Sequence, residues 1–287
     1  MAVRAYASTR RFGEAEVTII SDGSIAWAPR YQVPEVEWRP ALPEADAEGR
    51  ILLGIHVAHV RLPGASIVID AGLDDPASAW HQSFSARWPG LARTPGLMGW
   101  LAAAGIPVEA ITHVLITHAH EDHFVGVAAE HGGSLAARFP RARHLLGRAD
   151  WEGNPRREDP AATLATRLGL VERLGLLDLV DGEREVVPGV TILPAPGESP
   201  GHCAVRINSA GARCYFLGDL IHHGCEVEHP DWMPGQNRDR AGLLASRRRL
   251  FAEIAAHRAA AVFTHEQFPG WGRVVSVGSG YGWTRDA

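Results

Sequence analysis

The chain has 287 residues, a length at which an α/β protein forms one large domain or two ordinary ones. Its formal net charge is −5, and its 28 basic residues, all arginines, are scattered along the sequence. No segment offers the concentrated basic surface that nucleic-acid phosphates require, which argues against a nucleic-acid partner.

The sequence also indicates a protein that neither crosses a membrane nor depends on disulfides. Its first residues lack the apolar core of a signal peptide, and the longest apolar stretch, residues 97–108, is too short and too interrupted to span a bilayer. Cys203, Cys214 and Cys225 form no CxxC pattern, which argues against a disulfide framework or a thiolate zinc site. We therefore expect a soluble, cytoplasmic protein with reduced structural cysteines.

The first third of the chain predicts β-strands joined by turns. Strands are expected at residues 16–20, 24–28, 51–62 and 65–72. The sequence Ser21-Asp22-Gly23 predicts a turn between the first two strands, and Pro63-Gly64 predicts a turn between the last two. Residues 96–105 then show the composition of a helix that ends at Gly105. This region is therefore β-rich, and its helix leads into the next strand.

The remainder of the chain alternates strands and helices. Strands are expected at residues 111–117, 189–195, 204–209, 213–219 and 260–266, the last of which is predicted to be the final strand. Residues 148–185 are predicted to form a charged helical excursion over the sheet, and residues 240–257 a further helix. No linker, composition shift or fixed-period repeat divides the chain. We predict a single α/β domain over residues 1–287.

The segment THAHEDHFVG, residues 117–126, places three histidines and two acids directly after an apolar strand. Such groups lose hydration on burial that only a partner can replace, so the cluster is either solvated surface or a cation site. His118 and His120 alternate around Ala119, which lets two imidazoles converge on one ion, and Asp122 with His123 can face a neighbouring ion. The HxHxDH pattern in this position favours a site for two metals.

Further ligands must come from elsewhere, because catalytic zinc usually has three protein ligands and one position open to water. Each remaining candidate stands where a predicted strand meets a loop. His202 precedes a strand, whereas Asp219 and His265 end strands. Because ligands in α/β sheets gather where strand ends open into loops, these three residues are candidates for the same site.

Together these residues resemble the metal-binding pattern of metallo-β-lactamase-fold hydrolases. The family pattern of HxHxDH, a distant His, a distant Asp and a final His is matched in order, and Asp70 matches the preceding strand-end aspartate. The resemblance covers about residues 15–275 and implies a four-layer αβ/βα sandwich with the site along the shared edge of two sheets. It also implies two zinc ions, one held by His118, His120 and His202, the other by Asp122, His123 and His265, with Asp219 bridging them.

Three departures from the family pattern bear on function. The family's common DHxGG is DHFVG here, so Phe124 lies either beside the pocket or in the core. The ligand turn is PGESPGH, which puts Glu198 where a non-ligand histidine often stands, and we do not assign Glu198 to the metal. Asp219 at the bridging position argues against an antibiotic-hydrolysing lactamase of the cysteine-ligand kind.

The segments GDLIHH and HEQFPGWG are most similar to the branch that includes methyl parathion hydrolase and related lactonases and esterases. In several lactonases of the family a substrate-contacting tyrosine stands three positions after the bridging aspartate, and His222 occupies that place here. A neutral imidazole donates a hydrogen bond only in the right tautomer, so we expect lactones to be held less well than aryl esters or phosphotriesters. Residues 25–45, 148–185 and 222–240 are expected to shape the pocket.

The chemistry that the pattern predicts is hydrolysis of a small ester, lactone or phosphotriester. Two neighbouring zinc ions lower the pKa of a bridging water and supply hydroxide. The sequence shows no GxSxG elbow between a strand and a helix, which would indicate a serine nucleophile. Asp122 is expected to pass a proton to the leaving group, with His222 beside it.

The alternatives are a mononuclear iron oxygenase acting on persulfides, a nuclease, which the acidic balance disfavours, and a non-catalytic metal-binding protein. The expected partners are a small-molecule substrate and a second copy of the chain in a homodimer, with no membrane.

Overall fold

The structure is a computed structural model that describes residues 2–131, 133–235 and 238–286. Its strands are β1 (Ala7–Phe12), β2 (Ala15–Trp27), β3 (Ile51–Leu62), β4 (Ala65–Ile69), β5 (Ala92–Arg93), β6 (His113–Ile116), β7 (Ala128–His131), β8 (Ser134–Ala137), β9 (Arg143–Gly147), β10 (Leu177–Val180), β11 (Arg184–Val187), β12 (Val190–Pro194), β13 (Cys203–Ser209), β14 (Ala212–Phe216), β15 (Ala260–Val262), β16 (Gly272–Val277) and β17 (Gly280–Arg285). Its α-helices are α1 (Glu35–Trp38), α2 (Ala79–Arg87), α3 (Gly96–Ala104), α4 (Glu121–Phe124), α5 (Arg148–Glu152), α6 (Thr163–Arg173), α7 (Cys225–Glu228) and α8 (Arg240–Ala256).

Two large sheets form the centre of the fold. The first sheet has the strand order β1-β2-β3-β4-β6-β9-β10, and β5 pairs with β2. The second sheet has the order β11-β12-β13-β14-β15-β16-β17, and β7 and β8 form a separate pair. Because β4, β6, β9 and β10 run parallel to one another, the carboxyl ends of these strands meet at one edge of the first sheet.

Helices cover the outer face of each sheet, which completes four layers. Leu97 of α3 and Leu168 of α6 pack in one apolar cluster with strands of the first sheet. Leu250 of α8 packs in another cluster with Tyr215 of the second sheet. A third cluster, which contains Val17 of the first sheet and Phe216 of the second, fills the space between the sheets. The predicted αβ/βα sandwich is therefore confirmed.

The predicted helices have local reasons to begin and end where they do. The side chain of Asp239 accepts a hydrogen bond from the backbone N–H of Gly242, which caps the start of α8. Helix α3 ends at Gly105, which has a φ of 67°, a left-handed conformation that glycine adopts without strain. Both helices lie within a residue of the predicted boundaries.

Two sequence expectations about strands are wrong. Ser21-Asp22-Gly23 does not form a turn: β2 runs through it, and a shift of register between Ser21 and Gly23 shows a β-bulge against β3. The strand that contains Ala260 is not the last one, because β16 and β17 follow as an antiparallel pair. A short loop with Gly278 at a φ of 56° joins that pair, a conformation that permits a tight hairpin.

The segment predicted as a helical excursion contains α5 and α6 and then continues as strand. Its last part enters the first sheet as β10 and begins the second sheet as β11, so this segment carries the chain from one sheet to the other. Residues 1 and 287 of the predicted domain lie outside the described residues, as do residues 236 and 237 of one predicted pocket segment. In the described part of the chain, no helix is both long and apolar enough to cross a membrane.

Candidate metal centre

Strand ends from both sheets bring the candidate ligands to one edge of the sandwich. Asp70 follows β4, and residues 118–123 follow the parallel strand β6. On the second sheet, Asp219 follows β14 and His265 follows the parallel strand β15. The backbone N–H of Cys203 donates to the carbonyl of Thr117 at 2.8 Å, which ties the two sheets together beside the site.

One half of the cluster, which we name the inner half, consists of Asp122, His123 and His265. Ligand atoms of these three side chains all lie within 4.8 Å of one another. The Oδ2 of Asp122 lies 3.6 Å from the Nε2 of His123 and 3.7 Å from the Nε2 of His265. The Nε2 atoms of both histidines therefore face the same space.

The other half, which we name the outer half, consists of His118 and His120. The Nε2 of His118 lies 2.8 Å from the Nδ1 of His120, and Glu198 Oε1 lies 3.5 Å from the same Nδ1. Ligand atoms of His118, His120, Glu198 and Asp219 lie within 4.8 Å of one another. His202 is adjacent, with its ring 5.1 Å from that of His118, and its Nε2 accepts a hydrogen bond from the backbone N–H of Asp219 at 3.0 Å.

Asp219 contacts both halves. Its Oδ1 lies 3.3 Å from the Nε2 of His123, and its Oδ2 lies 3.1 Å from the Nε2 of His265. The same Oδ2 lies 3.7 Å from the Nε2 of His118. One buried carboxylate thus lies between histidines of the inner and the outer half, which is the arrangement that a bridging ligand requires.

Hydrogen bonds from outside the cluster fix the orientation of three histidine rings. His123 Nδ1 donates to Asp70 Oδ2 at 2.8 Å, His265 Nδ1 donates to the carbonyl of Gly54 at 2.8 Å, and His202 Nδ1 donates to the carbonyl of Ala195 at 3.0 Å. In each ring the bonded Nδ1 leaves Nε2 as the atom that points into the cluster. Outer partners of this kind set the tautomer and the orientation of metal-binding histidines.

Asp70 is itself held firmly. The backbone N–H and the hydroxyl of Thr117 donate to its two carboxylate oxygens at 2.7 and 2.9 Å. Its φ is 57°, a left-handed conformation that costs free energy in a residue other than glycine. Strain of this size persists where the surrounding structure determines it, and here the result is a carboxylate aimed at His123.

The surroundings of the cluster shift the pKa values of its histidines in opposite directions. Burial lowers the pKa of His123 and His265, but the neighbouring carboxylates, chiefly those of Asp219 and Asp122, together outweigh burial. They raise the pKa of His123 well above its ordinary value and that of His265 to about 9. Burial lowers the pKa of His118 far below its ordinary value and that of His202 to about 3. A bound cation would displace the protons of the inner half and complete the charge balance of Asp219.

The cluster fits metal ions on an independent observation. His123 Nε2 and Asp219 Oδ1 are buried and lie 3.3 Å apart, but neither atom makes a hydrogen bond of acceptable geometry with the described residues. A buried polar atom without a partner costs free energy unless another group satisfies it. Imidazole nitrogen and carboxylate oxygen are both zinc ligands, so the donor set suits that ion.

Asp150 is a residue of the site that sequence reasoning missed. It follows β9 and is 3% exposed. Its Oδ2 accepts hydrogen bonds from the backbone N–H of Ala119 at 2.8 Å and from the hydroxyl of Ser199 at 2.7 Å, and its Oδ1 accepts from the N–H of Gly201 at 2.6 Å. Asp150 therefore joins the loop of the outer half to the turn that carries His202. Its position three residues after the end of the apolar strand β9 was the signal available in the sequence.

Phe124 and His222, the two residues considered for the pocket, lie in different surroundings. Phe124 is 1% exposed and packs in the apolar cluster of the first sheet. His222 is 5% exposed and has Asp219 and His265 as neighbours, with its ring stacked on that of His265 at 5.1 Å. Trp27 stacks on the other face of His222 at 5.7 Å.

The fold and this cluster define a metal-dependent hydrolase. The chain belongs to the metallo-β-lactamase superfamily, whose family model matches residues 52–265. An N-acyl homoserine lactonase of Bacillus cereus is 23% identical over 206 residues, which cover 70% of this chain and 76% of the lactonase. These findings confirm the predicted family and its lactonase-like branch.

Two solved structures share the fold over nearly their whole length. One is AidC, a dizinc quorum-quenching lactonase in complex with the product N-hexnoyl-L-homoserine, with a TM-score of 0.76, 22% identity and coverage of 98% of both chains. The other is the hydrolase AbOPH of the β-lactamase superfamily, with a TM-score of 0.78, 21% identity and coverage of 98% of both chains. At these identities the likeness establishes the fold.

Proposed function

We propose that this protein is a dinuclear zinc hydrolase of small esters, lactones or phosphotriesters. The observation that carries the proposal is the position of Asp219, whose carboxylate contacts His118 of the outer half and His265 of the inner half. A mononuclear site would need no carboxylate between two groups of histidines. The lactonase relatives support a substrate with an ester-like bond.

The residues expected to hold the two ions combine this geometry with the family pattern. Asp122, His123 and His265 would hold one ion, and Asp219 would contact both. His118 and His120 would hold the other ion together with His202, which is adjacent to His118 and is assigned by the family pattern. When bound, two zinc ions lower the pKa of water toward neutrality and polarise a carbonyl or phosphoryl oxygen.

The chain's own residues orient the reacting groups and move a proton. Asp122 is the ligand candidate suited to proton transfer, because its side chain is 21% exposed whereas that of Asp219 is 4% exposed. A partly exposed carboxylate beside the cluster can take a proton from the attacking water and return it to the leaving oxygen. Asp70 and Asp219 would instead stay in place and keep the histidine rings aligned.

The alternatives predicted from the sequence gain no support. The relatives described above are named as lactonases and a hydrolase, and none is named as an iron oxygenase. We also propose a cytoplasmic location, because all three cysteines are free and buried, as is usual in a reducing compartment. Assembly into a homodimer remains part of the proposal.

A substrate panel on zinc-loaded protein tests the proposed function. It should include an aryl ester, a γ-lactone and an aryl phosphotriester, each measured before and after removal of metal with a chelator. We expect hydrolysis of at least one class that disappears with the metal and returns with zinc. The same panel on His222→Tyr tests whether lactones gain relative to aryl esters. A metal-loaded, folded protein that hydrolyses no member of the panel would contradict the proposal.

A further inference from the structure

An ion pair between buried Glu198 and partly exposed Arg238 lies next to His120 of the outer half. Glu198 belongs to the turn before His202, and its side chain is fully buried. Arg238 lies in the segment that leads into α8, and its Nη2 donates to Glu198 Oε1 at 2.7 Å while its Nε contacts Oε2. The same arginine donates from Nη1 to the carbonyl of Pro234. Two carboxylate contacts and one backbone contact therefore fix the plane of the guanidinium.

The Nη2 of Arg238 has a second contact, which is weak. It lies 3.4 Å from His222 Nε2, longer than an ordinary N–H hydrogen bond. Each Nη carries two hydrogens, and only one hydrogen of this Nη2 is used by Glu198. The other hydrogen is available to His222 at this long distance, and that contact can be exchanged for a stronger acceptor, such as a substrate oxygen.

The Nε2 of His222 is already engaged by its neighbours. Its Nε2 lies 3.4 Å from Asp219 Oδ2 as well as 3.4 Å from Arg238. That nitrogen either accepts from the guanidinium, which can only donate, or donates to the carboxylate. In both tautomers its Nε2 is engaged, and its buried Nδ1 has no hydrogen-bond partner among the described residues. The donor at this position that carries a charge in either case is Arg238.

The pair lies within reach of the reacting groups. Glu198 Oε1 is 3.5 Å from the Nδ1 of His120, and His222 Nε2 is 3.4 Å from Asp219 Oδ2. Arg238 Nη2 contacts both of these intermediate groups, so it lies one contact away from the outer half on one side and from Asp219 on the other. The side chain of Arg238 is 16% exposed, and its partner Glu198 lines a cavity of about 260 Å³ together with His120.

We propose that Arg238 is a catalytic residue that donates a hydrogen bond to the carbonyl oxygen of a carboxylic ester or lactone, and that Glu198 is its positioning residue rather than a metal ligand. This inference rests on the proposed function and assigns a carboxylic ester-type substrate to the same site. Water adds to the carbonyl carbon, the bond to the leaving oxygen breaks, and that oxygen takes a proton from the water to become a hydroxyl group. From an ester the alcohol departs, and in a lactone the hydroxyl stays on the opened chain. Arg238 stabilises the charge that develops on the carbonyl oxygen, and it then holds an oxygen of the carboxylate product.

The first experiment compares Arg238→Met with Arg249→Met in zinc-loaded full-length protein. Arg249 is the control, because it is an exposed arginine of α8 that bonds to the carbonyl of Pro194 and lies outside the segments expected to shape the pocket. Removal of one oxyanion donor commonly costs about 10² to 10³-fold in kcat. We expect a loss of that size with an aryl ester for Arg238→Met, no loss for Arg249→Met, and two zinc ions in both.

A binding measurement provides a readout that does not depend on turnover. Calorimetric titration of zinc-loaded protein with hexanoate, a probe for the carboxylate product, should show at least about tenfold weaker binding to Arg238→Met than to wild type. Chemical rescue adds a second test: ethylguanidinium should restore part of the activity of Arg238→Ala and none to a protein that lacks zinc. A merely structural role for Arg238 would give no rescue.

Glu198→Gln separates the two assignments of that carboxylate. A positioning role predicts full zinc content with lowered kcat and weaker hexanoate binding, whereas loss of one zinc equivalent would identify Glu198 as a ligand and overturn its assignment here. If wild type hydrolyses the ester and Arg238→Met matches it in both kcat and hexanoate affinity, the role of Arg238 is refuted while the proposed hydrolase function stands. If wild type hydrolyses nothing, the proposed function fails, and unchanged hexanoate affinity in Arg238→Met would refute this inference separately.

Discussion

The inner and outer halves of the cluster are built differently. In the inner half, His123 and His265 are buried, and each donates from Nδ1 to a fixed acceptor in the protein. In the outer half, the side chain of His120 is 51% exposed and its Nδ1 contacts His118 rather than a separate acceptor. The fold therefore orients the inner half by itself, whereas the outer half depends on loop contacts made by Asp150 and Glu198.

Substitution of Asp219 should have the largest effect, because that carboxylate is common to both halves. We expect Asp219→Ala to lose on the order of 10³-fold or more in kcat/KM, since metal-assisted hydrolysis takes several kcal/mol of stabilisation from correctly held ions. His202→Ala should lose activity nearly as completely. Steady-state kinetics with an aryl ester provide the measurement.

Cys203→Ala is the control for those two variants. Cys203 is buried next to His202, but among the described residues the hydrogen bond of its thiol goes to the carbonyl of Gly201. Its activity should stay close to that of wild type. Equal losses in all three variants, with circular dichroism showing folded protein in each, would mean that the ligands have been assigned wrongly.

The difference between the halves can be measured with a pair of conservative substitutions. Asp70→Asn removes the charged acceptor behind His123, and Asp150→Asn weakens the link between Ala119 and the turn that carries His202. Loss of an outer partner typically costs about 10 to 100-fold in metal affinity. We expect Asp70→Asn to weaken the more tightly bound ion and Asp150→Asn to weaken the other.

Competition with a chromogenic chelator measures both affinities. In wild type the two ions should leave in separate steps, with the ion of the outer half leaving first. If both variants weaken the same step by the same factor, the two halves are not independent in the way that their contacts indicate.

The sequence predicted the inner half better than the contacts around the outer half. HxHxDH is contiguous, so its geometry follows from one strand and one turn, and His265 was placed by the general rule for strand ends. Asp150 bonds to partners that are 31 to 51 positions away in the sequence, and Arg238 bonds to Glu198, which is 40 positions away. No local sequence pattern encodes such pairings. The same limit explains the β-bulge at Ser21 to Gly23, where pairing with β3 decides against the turn that its composition favours.

The pH dependence of stability should show the smallest of these effects, and it compares His144, outside the cluster, with His265 of the inner half. Burial lowers the pKa of His144, on β9, to about 4. The unfolded chain binds a proton on this residue near pH 6.5 and the folded chain does not until about pH 4, so its contribution to stability is complete above pH 6.5 and is lost as the pH falls toward 4. His265, whose pKa is raised to about 9, acts oppositely in metal-free protein, and its contribution is lost as the pH rises through 9.

Urea unfolding of metal-free protein at pH 7 and pH 5 tests this assignment. We expect wild type to lose stability at pH 5, with His144 contributing at most about 1.4 kcal/mol per pH unit. His144→Leu should show a correspondingly smaller difference between the two pH values. An unchanged difference would mean that His144 is not held neutral by its surroundings.

The measurement that tests the central claim most directly is the zinc content of the purified protein, followed by mass spectrometry of the metal while zinc is withdrawn in steps. Two halves joined by Asp219 predict two zinc equivalents per chain, with ester hydrolysis lost as the first of them leaves. Full activity with a single equivalent, in protein purified with excess zinc, would contradict the dinuclear site.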